Sequence, residues 1–519
     1  MAPPNTLLAK SLTLLAKQQG AGKNVIRGSD LPRMDRQRLV KAGYLEEVLR
    51  GWYLPSRPDA LRASSAAWFA GMWEFITGYC NGRFGADWHV SPEQSLMLRT
   101  GERTLPKQVQ IWAPRANNQT VALPHGCSLF LYRAPRLWQS EAVADAGGLR
   151  LATLSQALVA VGPAFYTQQP LVARIALASV QDTSELLGPL LDGGHAHIAG
   201  RLAGGMRAIG RADVADEMVS TMAAAGLEVR EARPFEVAPA PLPAGRAESP
   251  YVQRLRLMWW QMRQRVIDEF PAPGASTLDV AATLENVEER HATDAYHSLS
   301  IEGYRVTPEL IEKVRNGQWR PDGDDAKTRD AMAAKGYCEA YLEVKDYIAK
   351  TLTARPGRWP LHDALTSWYR ALFGPGVVAG VLRPSDLAGW RNDPVFIRGA
   401  LHVPPSKQAV RECMPVFFEL LAAEQHAAVR AVLGHFFFVY IHPYMDGNGR
   451  LARFIFNAML VTGGYTWTIV PLEQRKSYMA ALEQASSCGD IQPLARFFAD
   501  LTREQSATPL PGPRESRAD

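Results

Sequence analysis

A segment of twelve residues, His442 to Arg453, constrains the fold of this chain more than any other feature of its sequence. It follows a long apolar stretch, Val429 to Ile441, which Pro443 ends because proline has no backbone N–H to donate. A Gly-Asn-Gly run at 447–449 then leads into a second helical pattern. The segment therefore predicts two helices joined by a glycine-rich loop.

A glycine-rich loop that opens a helix is suited to binding anions, because unpaired N–H groups and the positive end of the helix dipole face the ligand. Arg450 and Arg453 share one face of the second helix and could hold two phosphates of a polyphosphate. Asp446 offers the hard oxygen ligand that Mg²⁺ prefers, and His442 can accept a proton at neutral pH. This combination predicts nucleotidyl or phosphoryl transfer to a hydroxyl.

The same twelve residues resemble HxFx[D/E]GNGRxxR, the signature of Fic (Fido) domains, with Tyr444 in place of the usual phenylalanine. The resemblance implies a protein adenylyltransferase that moves AMP from ATP, with Mg²⁺, to a Ser, Thr or Tyr hydroxyl of a target protein or of itself. It implies that His442 is the general base and that Asp446 holds the metal ion. It also implies a set of phosphate-binding residues: Gly447, Asn448, Gly449, Arg450 and Arg453.

Two segments beside the motif are similar to further parts of this family. Gly389 to Pro405 resembles the flap, a β-hairpin that aligns the target, and Val395, Phe396 and Ile397 would offer it a strand edge. Tyr478 occurs where family members place a tyrosine beside the adenosine, and a tyrosine that only packs is the alternative. Ser487 stands near the position of a frequent family asparagine, so the base preference stays open.

Residues 298–303 match the family's inhibitory pattern [S/T]xxxE[G/N] through Ser298, Glu302 and Gly303. They end a predicted inhibitory helix at about 285–303, ahead of the catalytic motif. A Glu302 carboxylate delivered to Arg453 would form a charge-assisted pair with the group meant for the γ-phosphate. The match therefore implies an autoinhibited enzyme, and a solvated glutamate is the alternative.

The first sixty residues carry the net charge of the chain. Ten Lys and Arg against five Asp and Glu give +5 there, which equals the net charge of all 519 residues. Two helical patterns followed by a hairpin pattern at 44–54 predict a winged helix-turn-helix, and this stretch resembles the N-terminal module of AbiEi-type antitoxins. Charge and pattern indicate duplex DNA as a partner, although winged helices also bind proteins. The candidate phosphate contacts are Arg33, Arg36, Arg38 and Lys41.

Changes in composition divide the chain further. We expect a winged helix-turn-helix at 1–60, an α+β middle domain at 61–233, a proline-rich linker at 234–250, a Fic domain at 251–505 and a disordered tail at 506–519. The predicted fold class is mainly α, with a helical Fic core and a β-hairpin flap preceded by the two smaller domains.

Scattered cysteines and the absence of a long apolar run indicate a cytoplasmic protein with no membrane partner. The five cysteines form no metal-ligand or redox spacing, and the apolar run Ala431 to Ile441 is shorter than the roughly 20 residues of a membrane span. Three alternatives for function stay open. The domain could transfer another nucleotide or group, or remove AMP; the chain could be a DNA-binding regulator whose Fic domain modifies itself or a partner; or it could be a fused toxin and antitoxin.

Overall fold

The computed structural model describes residues 4–507 except 22, 57–65, 138–139, 144–147, 236–247, 274–278, 320–324, 355–360 and 398. Most of the predicted linker at 234–250 and nearly all of the predicted tail at 506–519 lie outside the described residues. The chain divides into two compact units. The front unit comprises residues 1–254 with 396–403, and the back unit comprises 255–395 with 404–519.

The front unit begins with two helices and a small sheet. An antiparallel sheet of order β1-β3-β2 closes over a core that includes Leu15, Leu39 and Tyr53. Gly51 turns the β2–β3 hairpin with a φ of 83°, which a side chain would strain. The elements are α1 (Pro4–Gly20), β1 (Ile26–Arg27), α2 (Arg33–Lys41), β2 (Leu45–Leu49) and β3 (Trp52–Pro55).

A six-stranded mixed sheet, of order β6-β7-β5-β4-β9-β8, forms the next layer of the front unit. Alternate residues of its central strands, among them Ile111 and Leu131, are fully buried in one core with Phe75 of α3. The elements are α3 (Ala66–Phe84), β4 (His89–Val90), α4 (Pro92–Arg99), β5 (Gln108–Ala113), β6 (Gln119–Ala122), β7 (Ser128–Arg133), β8 (Ser140–Val143) and β9 (Leu149–Ala152).

Six short helices complete the front unit around a second apolar core, to which Leu158, Leu190 and Met218 contribute. They are α5 (Leu154–Ala160), α6 (Pro163–Gln168), α7 (Pro170–Ala178), α8 (Ser184–Asp192), α9 (Ala196–Ala208) and α10 (Ala212–Ala224). The front unit therefore combines helices with both sheets of the described chain.

The back unit is helical, which confirms the prediction of a mainly α fold. Its helices are α11 (Pro250–Glu269, whose first turns belong to the front unit), α12 (Val280–Ile301), α13 (Pro308–Arg315), α14 (Asp325–Thr353), α15 (Leu361–Val378), α16 (Lys407–Ala423), α17 (Ala427–Ile441), α18 (Asn448–Thr462), α19 (Arg475–Cys488) and α20 (Gln492–Ala507). Helices α17 and α18 form its centre, because nearly every residue of both is buried. Among the described residues, no helix combines the length and apolar character needed to cross a membrane.

Candidate active site

The loop between α17 and α18 is fixed by its own backbone and side chains. Helix α17 ends at His442 in the left-handed conformation, with φ 52° and ψ 60°, and α18 begins after Gly447 at φ 81°. A β-carbon at Gly447 would lie 2.7 Å from the ring of Phe373, so only glycine fits. The side chain of Asn448 accepts from Tyr444 N at 3.0 Å and donates to Tyr444 O at 2.9 Å. Asn448 thus fastens the loop, a role that the motif alone does not reveal.

Tyr444, which replaces the usual phenylalanine of the motif, is buried. Its ring stacks on Tyr369 with centroids 3.9 Å apart and planes inclined by 10°. The aromatic ring therefore anchors the loop in the core, as the substitution of one aromatic residue for another leads us to expect.

His442 is half-buried at the start of this loop, and its side chain is oriented by the helix end. Burial lowers its pKa to about 4, helped by the charge of Arg391 and opposed by the Val439 carbonyl and the Glu302 and Asp446 carboxylates. The ring is therefore neutral at neutral pH. Nδ1 lies 3.2 Å from Val439 O, a contact that assigns the proton to Nδ1 and leaves Nε2 as the free acceptor.

Asp446 is exposed and suited to a metal ion that brings its other ligands with it. Its side chain is 67% exposed; Oδ1 accepts from Gly447 N at 2.6 Å, and Oδ2 lies 3.3 Å from Arg450 Nη2. In the part of the chain that the structure describes, no cluster of three or more His, Cys, Asp or Glu could hold a metal ion. A single carboxylate fits Mg²⁺ bound to a polyphosphate, because Mg²⁺ commonly uses one or two carboxylates with phosphate oxygens and water.

The first turn of α18 is occupied by the Glu302 carboxylate. A β-carbon at Gly449 would lie 2.3 Å from Glu302 Oε1, so the carboxylate lies against the backbone of this turn. Such a turn presents N–H groups that have no partner within the helix. Glu302 therefore occupies the position that this geometry offers to an anion.

Arg453 pairs with the same glutamate inside the back unit. Arg453 is 3% exposed; its Nη2 donates to Glu302 Oε1 at 2.7 Å and to Ser298 O at 3.1 Å, and its Nε donates to Ser298 Oγ at 2.8 Å. Burial acts to raise the pKa of Glu302, but the charges of Arg453 and Arg450 outweigh it and hold that pKa below its ordinary value. Glu302 is thus ionised and paired at neutral pH, and Gly303, at φ 91°, ends the helix directly after it.

The guanidinium of Arg450 contacts two aromatic rings as well as the carboxylate of Asp446. It is 1% exposed, and its guanidinium lies 5.1 Å from the ring centroids of both Tyr304 and Phe373. Cation–π contacts of this kind add to its ion pair with Asp446 and fix its direction. The segment 298–304 therefore contacts both arginines of the motif.

Tyr478 lies in the core beside Arg453. It is 1% exposed, its hydroxyl is 2.7 Å from His435 Nε2, and burial raises its pKa to about 12. Burial also lowers the pKa of His435 to about 3, so the ring is neutral and accepts from the hydroxyl. In this arrangement Tyr478 supports Arg453 from behind, and it offers little surface to a nucleotide base.

The predicted flap is divided between the units. Val395 belongs to the back unit, whereas Phe396 and Ile397 belong to the front unit, and all three are half-buried. The described residues of Gly389–Pro405 contain no strand, in contrast to the predicted hairpin. The backbone finds its partners in another segment of the front unit, since Leu105 N donates to Leu401 O at 3.0 Å and Thr104 forms an antiparallel bridge with His402.

The four basic candidates on α2 have different environments. Arg33 and Lys41 are exposed. Arg36 donates to Gly28 O and stacks on Tyr53 at 5.4 Å, and Arg38 pairs with Asp35 at 2.9 Å. Two of the four side chains are therefore used within the front unit.

Sequence reasoning missed three residues that shape this site. Arg391 contacts the catalytic loop, Tyr304 stacks on Arg450, and His435 supports Tyr478. Two weak signals existed, a lone histidine within the apolar run of α17 and an aromatic residue directly after Gly303.

Part of the chain is similar to known proteins. Residues 361–460 match the model of the Fic/DOC family. "Protein adenylyltransferase Fic" of Drosophila mojavensis is 31% identical over 225 residues, 42% of this chain and 41% of that protein. The protein of the same name from Nematostella vectensis is 29% identical over 225 residues, 42% of this chain and 48% of that one. The chain thus spans less than half the length of these curated relatives.

Two solved structures align with part of the chain at low TM-scores. A Fic-1 fragment from C. elegans is 18% identical with a TM-score of 0.38, covering 65% of this chain and 96% of that one. A Fic family protein from Desulfovibrio desulfuricans G20 is 19% identical with a TM-score of 0.34, covering 50% and 76%. The family match itself identifies residues 361–460 as a Fic/DOC domain.

Proposed function

We propose that the Fic/DOC domain of this chain is a protein adenylyltransferase, which transfers AMP from ATP to a Ser, Thr or Tyr hydroxyl of a target protein or of the chain itself. One observation carries the proposal. The loop between α17 and α18 brings together a neutral His442 with a free Nε2, an exposed Asp446 and the first turn of α18, where the Glu302 carboxylate now lies. The names of the curated relatives point to the same activity.

In the proposed reaction, the target hydroxyl oxygen forms a bond to the α-phosphorus as the bond from that phosphorus to the leaving pyrophosphate oxygen breaks. Nε2 of His442 takes the hydroxyl proton as general base. Backbone N–H groups of the first turn of α18, with Arg450 and Arg453, bind the charge of the phosphates. Positioning and electrostatics supply most of the rate enhancement in reactions of this type.

Asp446 is the residue of this loop that would hold Mg²⁺. When bound, the ion would neutralise negative charge on the phosphates. Oδ1 of Asp446 accepts from Gly447 N, which holds the carboxylate on the loop, and its side chain is 67% exposed, so a metal ion could reach it from solvent.

The enzyme that we propose is autoinhibited by its own α12. Glu302 lies against Gly449 and pairs with Arg453, so it competes with a terminal phosphate for both groups. Ser298 supports this state, since its hydroxyl and its carbonyl both accept from Arg453. ATP would enter productively only when Glu302 leaves.

The test compares wild type, Glu302→Gly and His442→Ala, each incubated with Mg²⁺ and with ATP, UTP, GTP or CTP labelled at the α-phosphate. We expect strong self-labelling by Glu302→Gly with ATP, weak labelling by wild type and none by His442→Ala. Label that persists in His442→Ala would refute the role of the base. If another nucleotide gave the strongest labelling, the transferred group would be the monophosphate of that nucleotide and not AMP.

A second function is supported by exposed Lys and Arg side chains in the first sixty residues. We propose that the first sixty residues bind duplex DNA through Arg33 and Lys41 on α2 and Arg50 at the tip of the β2–β3 hairpin, all of which are exposed. This set differs from the sequence candidates because Arg36 and Arg38 have partners within the module.

The DNA proposal is tested with the full chain by measuring duplex binding across a salt series. Each phosphate contact contributes a slope of about −0.9 in log K against log salt. Replacing Arg33 and Lys41 by alanine should reduce the slope by about two, whereas replacing Lys10 and Lys17, exposed on α1, should leave it nearly unchanged. Equal effects of the two pairs, or no binding, would refute the proposal.

A further inference from the structure

Arg391 is a buried cation at the root of the segment that precedes α16. It is 2% exposed, although arginine is seldom buried without partners. Its backbone N–H donates to Pro443 O at 2.8 Å and its Nε donates to His442 O at 2.8 Å. One residue therefore holds two consecutive carbonyls of the catalytic loop.

The rest of the guanidinium contacts the segment that would align the target. Nη1 donates to Asp393 O at 3.1 Å, and Nη2 donates to Pro405 O. In the sequence, Asp393 precedes residues 396–403 of this segment and Pro405 follows them. The planar fork of arginine fits this task because it presents several donors in fixed directions, which lysine cannot do.

The base itself has an unusual backbone that needs such support. His442 adopts φ 52° and ψ 60°, a left-handed conformation that non-glycine residues keep only when neighbours hold it. Its ring is fixed on one side by Nδ1 and Val439 O, and its carbonyl is fixed on the other side by Arg391. The second contact therefore restrains the backbone dihedral angles of His442, which set the direction of its ring.

We propose that Arg391 is a positioning residue that joins the general base to the root of the target-aligning segment. The same side chain would then set where His442 points and where the target hydroxyl arrives. This inference rests on the proposed function, since it assigns a role in the proton transfer proposed above. It concerns a residue outside the family motif and outside the inhibitory helix.

The experiment uses the full chain in the Glu302→Gly background. Arg391→Met removes every side-chain donor, and Arg391→Lys keeps the charge and one donor group. Arg411→Met is the matched control, because Arg411 donates to Asn392 Oδ1 at 2.6 Å in the same segment and contacts neither His442 nor Pro443 among the hydrogen bonds of the described residues. The measurements are kcat and the KM for ATP from self-labelling, with the melting temperature of each variant.

We expect Arg391→Met to lower kcat about 100-fold, the effect typical of misplacing a reacting group by about 1 Å. The KM for ATP should stay within about twofold because the carbonyls of His442, Pro443, Asp393 and Pro405, to which Arg391 donates, lie outside the phosphate-binding turn. Arg391→Lys should recover part of kcat, and Arg411→Met should stay within about threefold of the parent.

The pH profile separates positioning from a general loss of structure. The groups that face the His442 ring are the Val439 carbonyl and the Glu302 and Asp446 carboxylates, which favour its protonation, and Arg391, which opposes it. Arg391→Met removes this positive charge and should therefore move the acid limb of the kcat profile to higher pH. Arg391→Lys keeps a positive charge and should move the acid limb less. The control variant should keep the acid limb of the parent.

Equal losses in Arg391→Met and Arg411→Met, or a rise in KM as the main effect, would overturn the inference. If Arg391→Met fails to fold, Arg391→Lys provides the test. A folded Arg391→Lys variant whose kcat equals that of the parent would also overturn the inference. An inactive Glu302→Gly parent would instead contradict the proposed function. The His442 ring can then be titrated by NMR, and an unchanged midpoint in Arg391→Met would refute the inference independently of turnover.

Discussion

Replacing Glu302 should release the enzyme in graded steps. A hydrogen bond to a charged group contributes about 1.5–3 kcal/mol net, roughly twice as much as one between two neutral groups. Glu302 makes such a charged contact with Arg453 at 2.7 Å. Gln keeps the shape and a hydrogen bond to the charged Arg453 but removes the charge of the carboxylate, so it should raise labelling at low ATP by less than Gly does. Gly removes the whole contact and should raise it about tenfold to 150-fold.

The pH dependence of this contact follows from the pKa of Glu302, which its arginine neighbours hold below the ordinary 4.5. A carboxyl with a lowered folded-state pKa stays ionised above its ordinary value and loses its ion pair only as the pH falls through the lower one. Wild type should therefore show no activation by acid between about pH 8 and pH 5. Activation in that range would contradict the assignment.

The assay is the initial rate of self-labelling at ATP concentrations well below KM. Glu285→Gln serves as the control, because Glu285 is exposed on the same helix and its replacement removes the same charge. We expect the order Gly, Gln, wild type, with Glu285→Gln equal to wild type. A Gln variant no faster than wild type, or a Glu285→Gln variant as fast as Glu302→Gln, would refute the reasoning.

Three further predictions concern buried groups. Because the pKa of His442 is lowered to about 4, kcat of Glu302→Gly should stay flat from about pH 8 to pH 5, and a fall centred near 6.5 would contradict this. Burial raises the pKa of Asp294 from 3.8 to about 6, so this carboxyl lowers the free energy of unfolding as the pH rises through that interval, and the loss is complete above it. Urea unfolding should show Asp294→Asn gaining about 1.4 kcal/mol at pH 8 relative to pH 5, and an equal difference at both would refute it. Tyr478→Phe removes the hydrogen-bond partner of His435 Nε2 and should lower the free energy of unfolding by about 1–2 kcal/mol. The KM for ATP should change by less than about twofold. A large rise in KM would instead favour contact between Tyr478 and the nucleotide base.

The sequence predicted the parts of the site that depend on local spacing. Proline after an apolar helix and glycines before the next one determine the loop between α17 and α18, and the positive φ angles of His442 and Gly447 fall in this loop as short-range rules suggest. The spacing of Ser298 and Glu302 by one helical turn likewise predicts that both side chains can reach one partner. Arg453 contacts both in the structure.

Contacts between distant segments could not be predicted in this way. Residues 401–403 pair with 103–105, about 300 positions away in the chain, and this pairing takes the backbone that the predicted hairpin required. Arg391 reaches His442 across 51 positions through carbonyl groups, which carry no signature in a side-chain pattern. The split of the basic residues on α2 also depends on tertiary partners, since Arg38 donates to Ser11 of α1 and Arg36 stacks on Tyr53 of β3.

The most direct test of the central claim is to label ATP separately at the α-phosphate and at the γ-phosphate, and to incubate each with Glu302→Gly and with the double variant Glu302→Gly/His442→Ala. The account predicts that protein-bound label comes from α-labelled ATP alone and disappears when His442 is replaced, because the bond that forms is to the α-phosphorus. Transfer of the γ-label would mean phosphoryl transfer and would contradict it. Undiminished α-label in the double variant would contradict His442 as the base.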